Sequence, residues 1–283
     1  MNFEMNRTWS QAMSLVQANF QLLAIIAGIF MLVPTLVFYF SIPDVFSMTA
    51  MGANPEEAAE RMAAIMPRLF GIGALVLLLQ WVGYMAMIAL MGDDRPTVGE
   101  AIGRGFKSLP TMIGAFILFL IALVLFMLLF SLVVGLLAAF GGGGTAAIMA
   151  LVGVLYIVVL LFMLYAFARL SVTLPVIVLE KQLNPWAALV RSWRLTKPRA
   201  WPIVGFFFLL FIAYLVLSMI LMLLVSGLGL ATGGAASGAS LVVMSLLYGV
   251  IGMAAAMLLS GILVSMHGQL SGTSSAEISR TFE

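Results

Sequence analysis

The chain has no cysteine among its 283 residues. That excludes disulfides, thiolate metal sites and a cysteine nucleophile. It has a single histidine, His267, so no histidine cluster can form. Charge is scarce as well: Asp, Glu, Lys and Arg make up 8% of the residues, against about 25% in an ordinary soluble domain. Thirteen basic and eleven acidic side chains leave a net charge of +2. So few charges cannot coat a soluble core of this size. A soluble globular enzyme, a disordered chain and a nucleic-acid binder are therefore excluded.

What the chain has in excess is apolar sequence, 64% of all residues, with a mean hydropathy of +1.19. A membrane-crossing helix needs about 20 mostly apolar residues. Six runs qualify, at residues 20–40, 69–91, 110–140, 146–179, 202–225 and 241–266. They are apolar all round, so helices are expected rather than the alternating strands of a barrel. The first run is too long for a signal-peptide core and lacks a clear cleavage site, so it reads as a retained helix. Basic residues set the orientation. With both termini cytoplasmic, ten of the thirteen bases lie inside, and only Arg61 and Arg68 lie outside. Arg169 alone falls within a span. The expected location is a bacterial inner membrane, crossed several times, with cytoplasmic N- and C-termini.

A short amphipathic stretch precedes each odd-numbered span. These begin Thr8-Trp9-Ser10-Gln11, Thr97-Val98-Gly99-Glu100 and Asn184-Pro185-Trp186-Ala187, and Trp9, Val98 and Trp186 stand 89 and 88 residues apart. Trp9, Ala12, Met13 and Val16 share one helical face, as do Val98, Ala101, Ile102 and Gly105, and Trp186, Leu189, Val190 and Trp193. Thr8 with Gln11 and Thr97 with Glu100 fit capping boxes, and Asn184-Pro185 fits an N-cap with proline at the first helical position. The expected fold is all-α. It is a polytopic bundle of six transmembrane helices with three short cytoplasmic interfacial helices, near 8–18, 97–108 and 185–196, in a threefold helix-plus-hairpin repeat. The chain reads as one integral membrane domain, residues 1–283, with repeat units at about 8–91, 97–179 and 185–266 and a tail at 267–283. The outer loops offer little: the glycines at 141–144 and the Gly/Ala/Ser stretch at 226–240 read as linkers. Asn54-Pro55-Glu56-Glu57 reads as the start of a short acidic surface helix within residues 41–67.

The most distinctive stretch runs from residue 169 to 205. It holds Arg169-Leu170-Ser171, Leu174-Pro175, Val178-Leu179-Glu180, Asn184-Pro185-Trp186 and Ser192-Trp193-Arg194-Leu195-Thr196. This pattern resembles the membrane domain of bacterial glycerophosphodiester phosphodiesterases in its stand-alone form. The resemblance implies a six-helix membrane domain with this connection between the fourth and fifth spans. It does not bring catalysis. The activity of that family belongs to a separate soluble barrel that uses a His-Arg pair, an acidic metal cluster and a second histidine. Here His267 precedes Gly268, and no segment outside the six spans could hold such a barrel.

Arg169 is the sharpest single feature. It lies eleven residues before Glu180, about 16 Å along a helix, and a lipid-facing arginine is costly. It must face the bundle or a wet cleft, or snorkel to the cytoplasmic interface past a bend at Pro175; both placements remain open on the sequence alone. Its expected partners are backbone carbonyls, Gln80, Tyr165 and Glu100. If wet, its guanidinium would suit an anionic headgroup or solute. A second candidate is the basic and aromatic cluster of Arg191, Arg194, Lys197 and Arg199 with Trp186, Trp193 and Trp201, which suits anionic lipid headgroups. Gly252, Ala256 and Ser260 form a small-residue stripe for close helix packing. Ser260 lies about 10 Å along the helix from His267, too far to form a catalytic pair.

No catalytic group, cofactor or metal site is expected. The function expected from these residues is a non-enzymatic membrane protein, a lipid-contacting or partner-binding scaffold. Its partners would be membrane lipids, anionic phospholipid among them, and a protein partner or a second copy, with no nucleic acid. The alternative is a transporter or flippase-like protein for an anionic lipid or small solute, with a polar path past Gln80, Arg169, Ser171 and Thr173. Coupled carriers usually place carboxylates at membrane depth, and none is found there.

Overall fold

The structure is a computed structural model that describes residues 4–42, 55–140, 145–231 and 238–272. All regular structure among them is helical. In chain order the elements are α1 (Met5–Ala18), α2 (Phe20–Ser41), α3 (Pro55–Leu90), α4 (Val98–Phe140), α5 (Thr145–Leu170), α6 (Thr173–Val178), α7 (Pro185–Thr196), α8 (Ala200–Ala231) and α9 (Gly238–Ser271). Six stretches are long and apolar enough to cross a bilayer: Phe20–Ser41, Met62–Leu90, Val98–Leu136, Val152–Val178, Pro185–Leu224 and Leu241–Ser271. The chain is a multi-pass α-helical membrane protein. Uniformly apolar helices such as α5 and α8 leave large side chains outward, Phe167, Phe208 and Leu223 among them. In lipid such a surface needs no further cover.

Proline explains two irregularities in the spans. A proline at position i clashes with the carbonyl at i−4 and gives no N–H to it. In α2, Pro34 follows a π-helical turn at Gly28–Leu32, which contains the carbonyl of Phe30. In the fourth span, Pro175 faces the carbonyl of Ser171, and the helix breaks there: α5 stops at Leu170 and α6 starts at Thr173. The bend expected at Pro175 thus sits four residues upstream of it.

The core is built from α1, α2, α3, α9 and the inner faces of α4 and α8. Helices α3 and α4 pack closely at Gly105: a Cβ there would stand 2.7 Å from the carbonyl oxygen of Val82, so only glycine fits. Gly83 is equally required, because a Cβ would fall 2.5 Å from that of Phe30. On the sixth span Ala256 and Ser260 are buried while Gly252 is exposed. The short helix α6 is buried at the charged end of the bundle, touching α3, α4, α7 and α9.

Several local expectations are corrected. Helix α1 starts at Met5, so Thr8 is not a cap; it is buried within the helix and donates to the carbonyl of Glu4 at 3.1 Å. The stretch 97–108 is no separate helix. It is the first part of α4, which runs through Pro110 without a break in its assignment. The acidic helix from Pro55 likewise continues through Pro67 into the second span. The glycines at 141–144, residues 43–54, residues 232–237 and the tail from 273 lie outside the described residues. The caps at Thr97 and Asn184 are present: the Thr97 N–H donates to Glu100 Oε2 at 2.9 Å, and the Ala187 N–H donates to Asn184 Oδ1 at 3.2 Å.

Candidate functional site

The break before α6 leaves the last carbonyls of α5 without helical partners, and each buried one needs a donor. Hydroxyls supply them. Ser171 Oγ donates to the Ala168 carbonyl at 2.8 Å and Thr173 Oγ1 to the Leu170 carbonyl at 2.7 Å. The Arg169 carbonyl is reached from α7, by Ser192 Oγ at 3.0 Å and by Thr196 Oγ1 at 3.0 Å. The Thr196 hydroxyl also lies 2.8 Å from the Ser192 carbonyl. Ser192 and Thr196 are four residues apart, so both sit on the one face of α7 that meets α5.

The Arg169 side chain locks the same joint. It is 1% exposed, and its Nη1 donates to Thr196 Oγ1 at 3.2 Å. Its guanidinium carbon stands 4.4 Å from the ring centre of Trp193 and 5.8 Å from that of Tyr165. Aromatic faces are a favourable seat for a cation removed from water. Nε is buried without a hydrogen-bond partner. Arg169 therefore faces the bundle, and of the partners expected for it Tyr165 is present. Gln80 is half-buried on α3 and is not one of them, and Glu100 is occupied in the cap of α4. Thr196 and Trp193 are not among the partners expected from the sequence. The signal was there in the Ser192–Thr196 spacing and in Pro175, which together imply orphan carbonyls beside a pair of hydroxyls.

At the charged end lies a cleft of about 630 Å³, lined among others by Gln11, Asp94, Arg104, Glu180, Arg191 and His267. Glu180 Oε2 takes a hydrogen bond from Arg191 Nε at 3.0 Å, and Oε1 lies 3.0 Å from Nε2 of the buried His267. Burial pushes the Glu180 carboxyl up, but its bonds to Arg191 and His267 outweigh that and hold it below the ordinary glutamate range. Asp94 Oδ2 pairs with Lys181 Nζ at 3.4 Å and Arg104 Nη1 at 3.0 Å. Lys181 first and Arg104 second hold its carboxyl below the usual aspartate range. Across the same end, Ser265 Oγ and Gln269 Nε2 of α9 donate to Gln11 Oε1 of α1 at 3.1 and 3.2 Å. None of these pairs was foreseen. Lys181 with Asp94 and His267 with Glu180 are each 87 residues apart, close to the spacing of the sequence repeat.

The other basic and aromatic candidates divide. Arg191 is engaged with Glu180. Arg194 and Lys197 are exposed, and Arg199 is half-buried. Trp186 is 66% exposed and Trp201 77%, while Trp193 turns one face to Arg169. The structure thus brings Arg169 and Trp193 together and leaves Gln80 apart from both.

A polytopic α-helical bundle whose spans are this uniformly apolar is a membrane domain. Residues 145–274 match the family model described as the membrane domain of glycerophosphoryl diester phosphodiesterase. The match spans the fourth, fifth and sixth crossings and includes the joint between α5 and α7. It concerns a membrane domain, which is separate from the catalytic domain of that enzyme. No curated protein and no solved structure matches the chain.

Proposed function

We propose that the chain is a non-enzymatic scaffold of the bacterial inner membrane, with both termini cytoplasmic, and that it contacts anionic lipid through α7. The observation that carries this reading is the division of α7 into two faces. Ala188, Ser192 and Thr196 are buried against the bundle, while Trp186 and Arg194, eight residues apart on one stripe, are exposed with Lys197 following. Tryptophan favours the headgroup level and basic side chains attract anionic lipid. The ten-to-two split of bases supports the orientation, and the spacing of the three amphipathic stretches supports the repeat. The transporter alternative needs a polar path past Gln80, Arg169, Ser171 and Thr173. The hydroxyls of Ser171 and Thr173 are turned to carbonyls, and Arg169 is engaged with Thr196 and two rings. That weighs for the scaffold.

The test is the lipid selectivity of the reconstituted protein, read with spin-labelled phosphatidylglycerol and phosphatidylcholine. The wild type should prefer the anionic label, and Arg194→Gln with Lys197→Gln should lose most of that preference. Cysteines introduced one at a time into this cysteine-free chain report whether the variant keeps its orientation. An unchanged preference in a correctly oriented variant would reject the reading.

A further inference from the structure

A groove of about 440 Å³ opens in the membrane-spanning layer between α3, α4, α5 and α9, within the size range of small-molecule sites, about 300–1,000 Å³. Its walls include Trp81, Met112, Ala115, Phe116, Phe167 and Leu263. Trp81 and Phe116 meet edge to face at 5.0 Å, forming a packed aromatic wall. No charged side chain lines it. The two aliphatic hydroxyls on it, Ser171 and Thr173, already donate to backbone carbonyls. Water held there would find few partners. The occupant this chemistry accepts is hydrocarbon, and phospholipid chains are the hydrocarbon that surrounds a membrane domain. Leu189 of α7 also lines the groove. That helix also exposes Trp186, Arg194 and, at its end, Lys197.

We propose that this groove holds one acyl chain of an anionic phospholipid whose headgroup rests on Arg194 and Lys197. This deepens and rests on the lipid contact proposed for α7: a lipid at the surface of that helix becomes a lipid bound at one site. Leu189 ties α7 to the groove, and Trp186 and Trp193 lie between it and Arg194 around that helix, so a lipid would pass over the two rings from chain to headgroup.

Native mass spectrometry of the detergent-purified chain tests the idea, with phosphatidylglycerol and phosphatidylcholine of identical chains as probes. The wild type should retain one phosphatidylglycerol. Ala115→Phe places a ring in the groove and should weaken retention of both lipids about tenfold, a change of about one and a half kilocalories in binding. Arg194→Gln with Lys197→Gln should remove the headgroup preference and leave chain binding in place. If Ala115→Phe melts like the wild type and retains lipid equally, the groove is wrong. The surface reading then survives, provided the double variant still loses its preference. If the wild type has no preference, both fall. Should Ala115→Phe fail to fold, a chain keeping only Trp81, with its other tryptophans replaced by Phe, decides. Quenching of Trp81 by chain-brominated phosphatidylglycerol should saturate at a low fraction of brominated lipid. Quenching that climbs in proportion to the bulk brominated lipid would overturn the proposal.

Discussion

Arg169 and Glu180 are eleven residues apart on either side of one helix break, and the bundle holds them by opposite means. Arg169 is buried with a hydroxyl and two aromatic rings for company. Glu180 keeps part of its surface open and meets two cationic or potentially cationic groups, Arg191 and His267. The difference follows depth. Inside the bundle a charge has no water to fall back on, so its neighbours must replace hydration. At the charged end water remains, the ion pair is partly screened, and its net worth is small. The comparison also assigns work to the motif around residues 169–196. Its serine, threonine, tryptophan and proline converge on one joint between α5 and α7, so most of the motif is accounted for by closing that joint.

The buried side of the comparison should give the largest effects. Trp193→Ala removes the ring over Arg169 and a large packed side chain. We expect it to cost about 3 kcal/mol, from a cation–π term of about 2 plus lost packing, read as a drop in melting temperature in detergent. Thr196→Val leaves Nη1 of Arg169 without its acceptor and weakens the cap on the Arg169 carbonyl, at about 2 kcal/mol. Trp193→Phe keeps a ring and should recover most of the loss. If Trp193→Ala melts like the wild type, Arg169 is not held by that ring.

The spans were legible because hydrocarbon-facing helices are apolar on every side, a signal that survives any error in their ends. The caps at Thr97 and Asn184 were legible because a cap is set by residues three apart. Thr8 misled for the same local reason: a threonine with Gln11 behind it fits a cap, but the helix starts three residues earlier and the hydroxyl bonds back to Glu4. The stretch at 97–108 was amphipathic as expected yet fused with its span, because Pro110 is tolerated within α4. The joint was half legible. Arg169 and Tyr165 are one helical turn apart, whereas Thr196 lies 27 residues on and is brought near by the break at Ser171. The pairs at the charged end were not read at all, since nothing local marks them. Their separation of 87 residues lies close to the 88 and 89 residues between the amphipathic stretches, and Arg95, Lys181 and Gly272, all at positive φ, each follow an even-numbered span.

The exposed side of the comparison should respond less. Glu180→Gln keeps a hydrogen-bond acceptor for His267 and loses the charge that pairs with Arg191. About 1 kcal/mol is expected, the upper end for a partly exposed pair, and high salt should shrink the difference between variant and wild type. A loss as large as that of Trp193→Ala would mean that depth does not separate the two sites.

The smallest effect expected is a dependence on acid, and its sign follows from the Glu180 carboxyl. Its value in the folded chain is lowered from the ordinary 4.5. A lowered carboxylate contributes stability that is fully present above its unfolded value and is lost as the pH falls through the folded one. Melting temperature in detergent should therefore be insensitive to this group between pH 7 and 5. It should fall below about 4.5, as protonation removes the charge that Arg191 and His267 face. Asp94 is lowered as well and acts in the same direction, so Glu180→Gln should flatten the acid limb only in part, and Glu180→Gln with Asp94→Asn should flatten it further. Arg169 stays charged across this range, so Thr196→Val should shift the whole curve down without changing its slope. An acid limb that keeps its full slope in the double variant would place the titrating group elsewhere and remove the distinction drawn between the two sites.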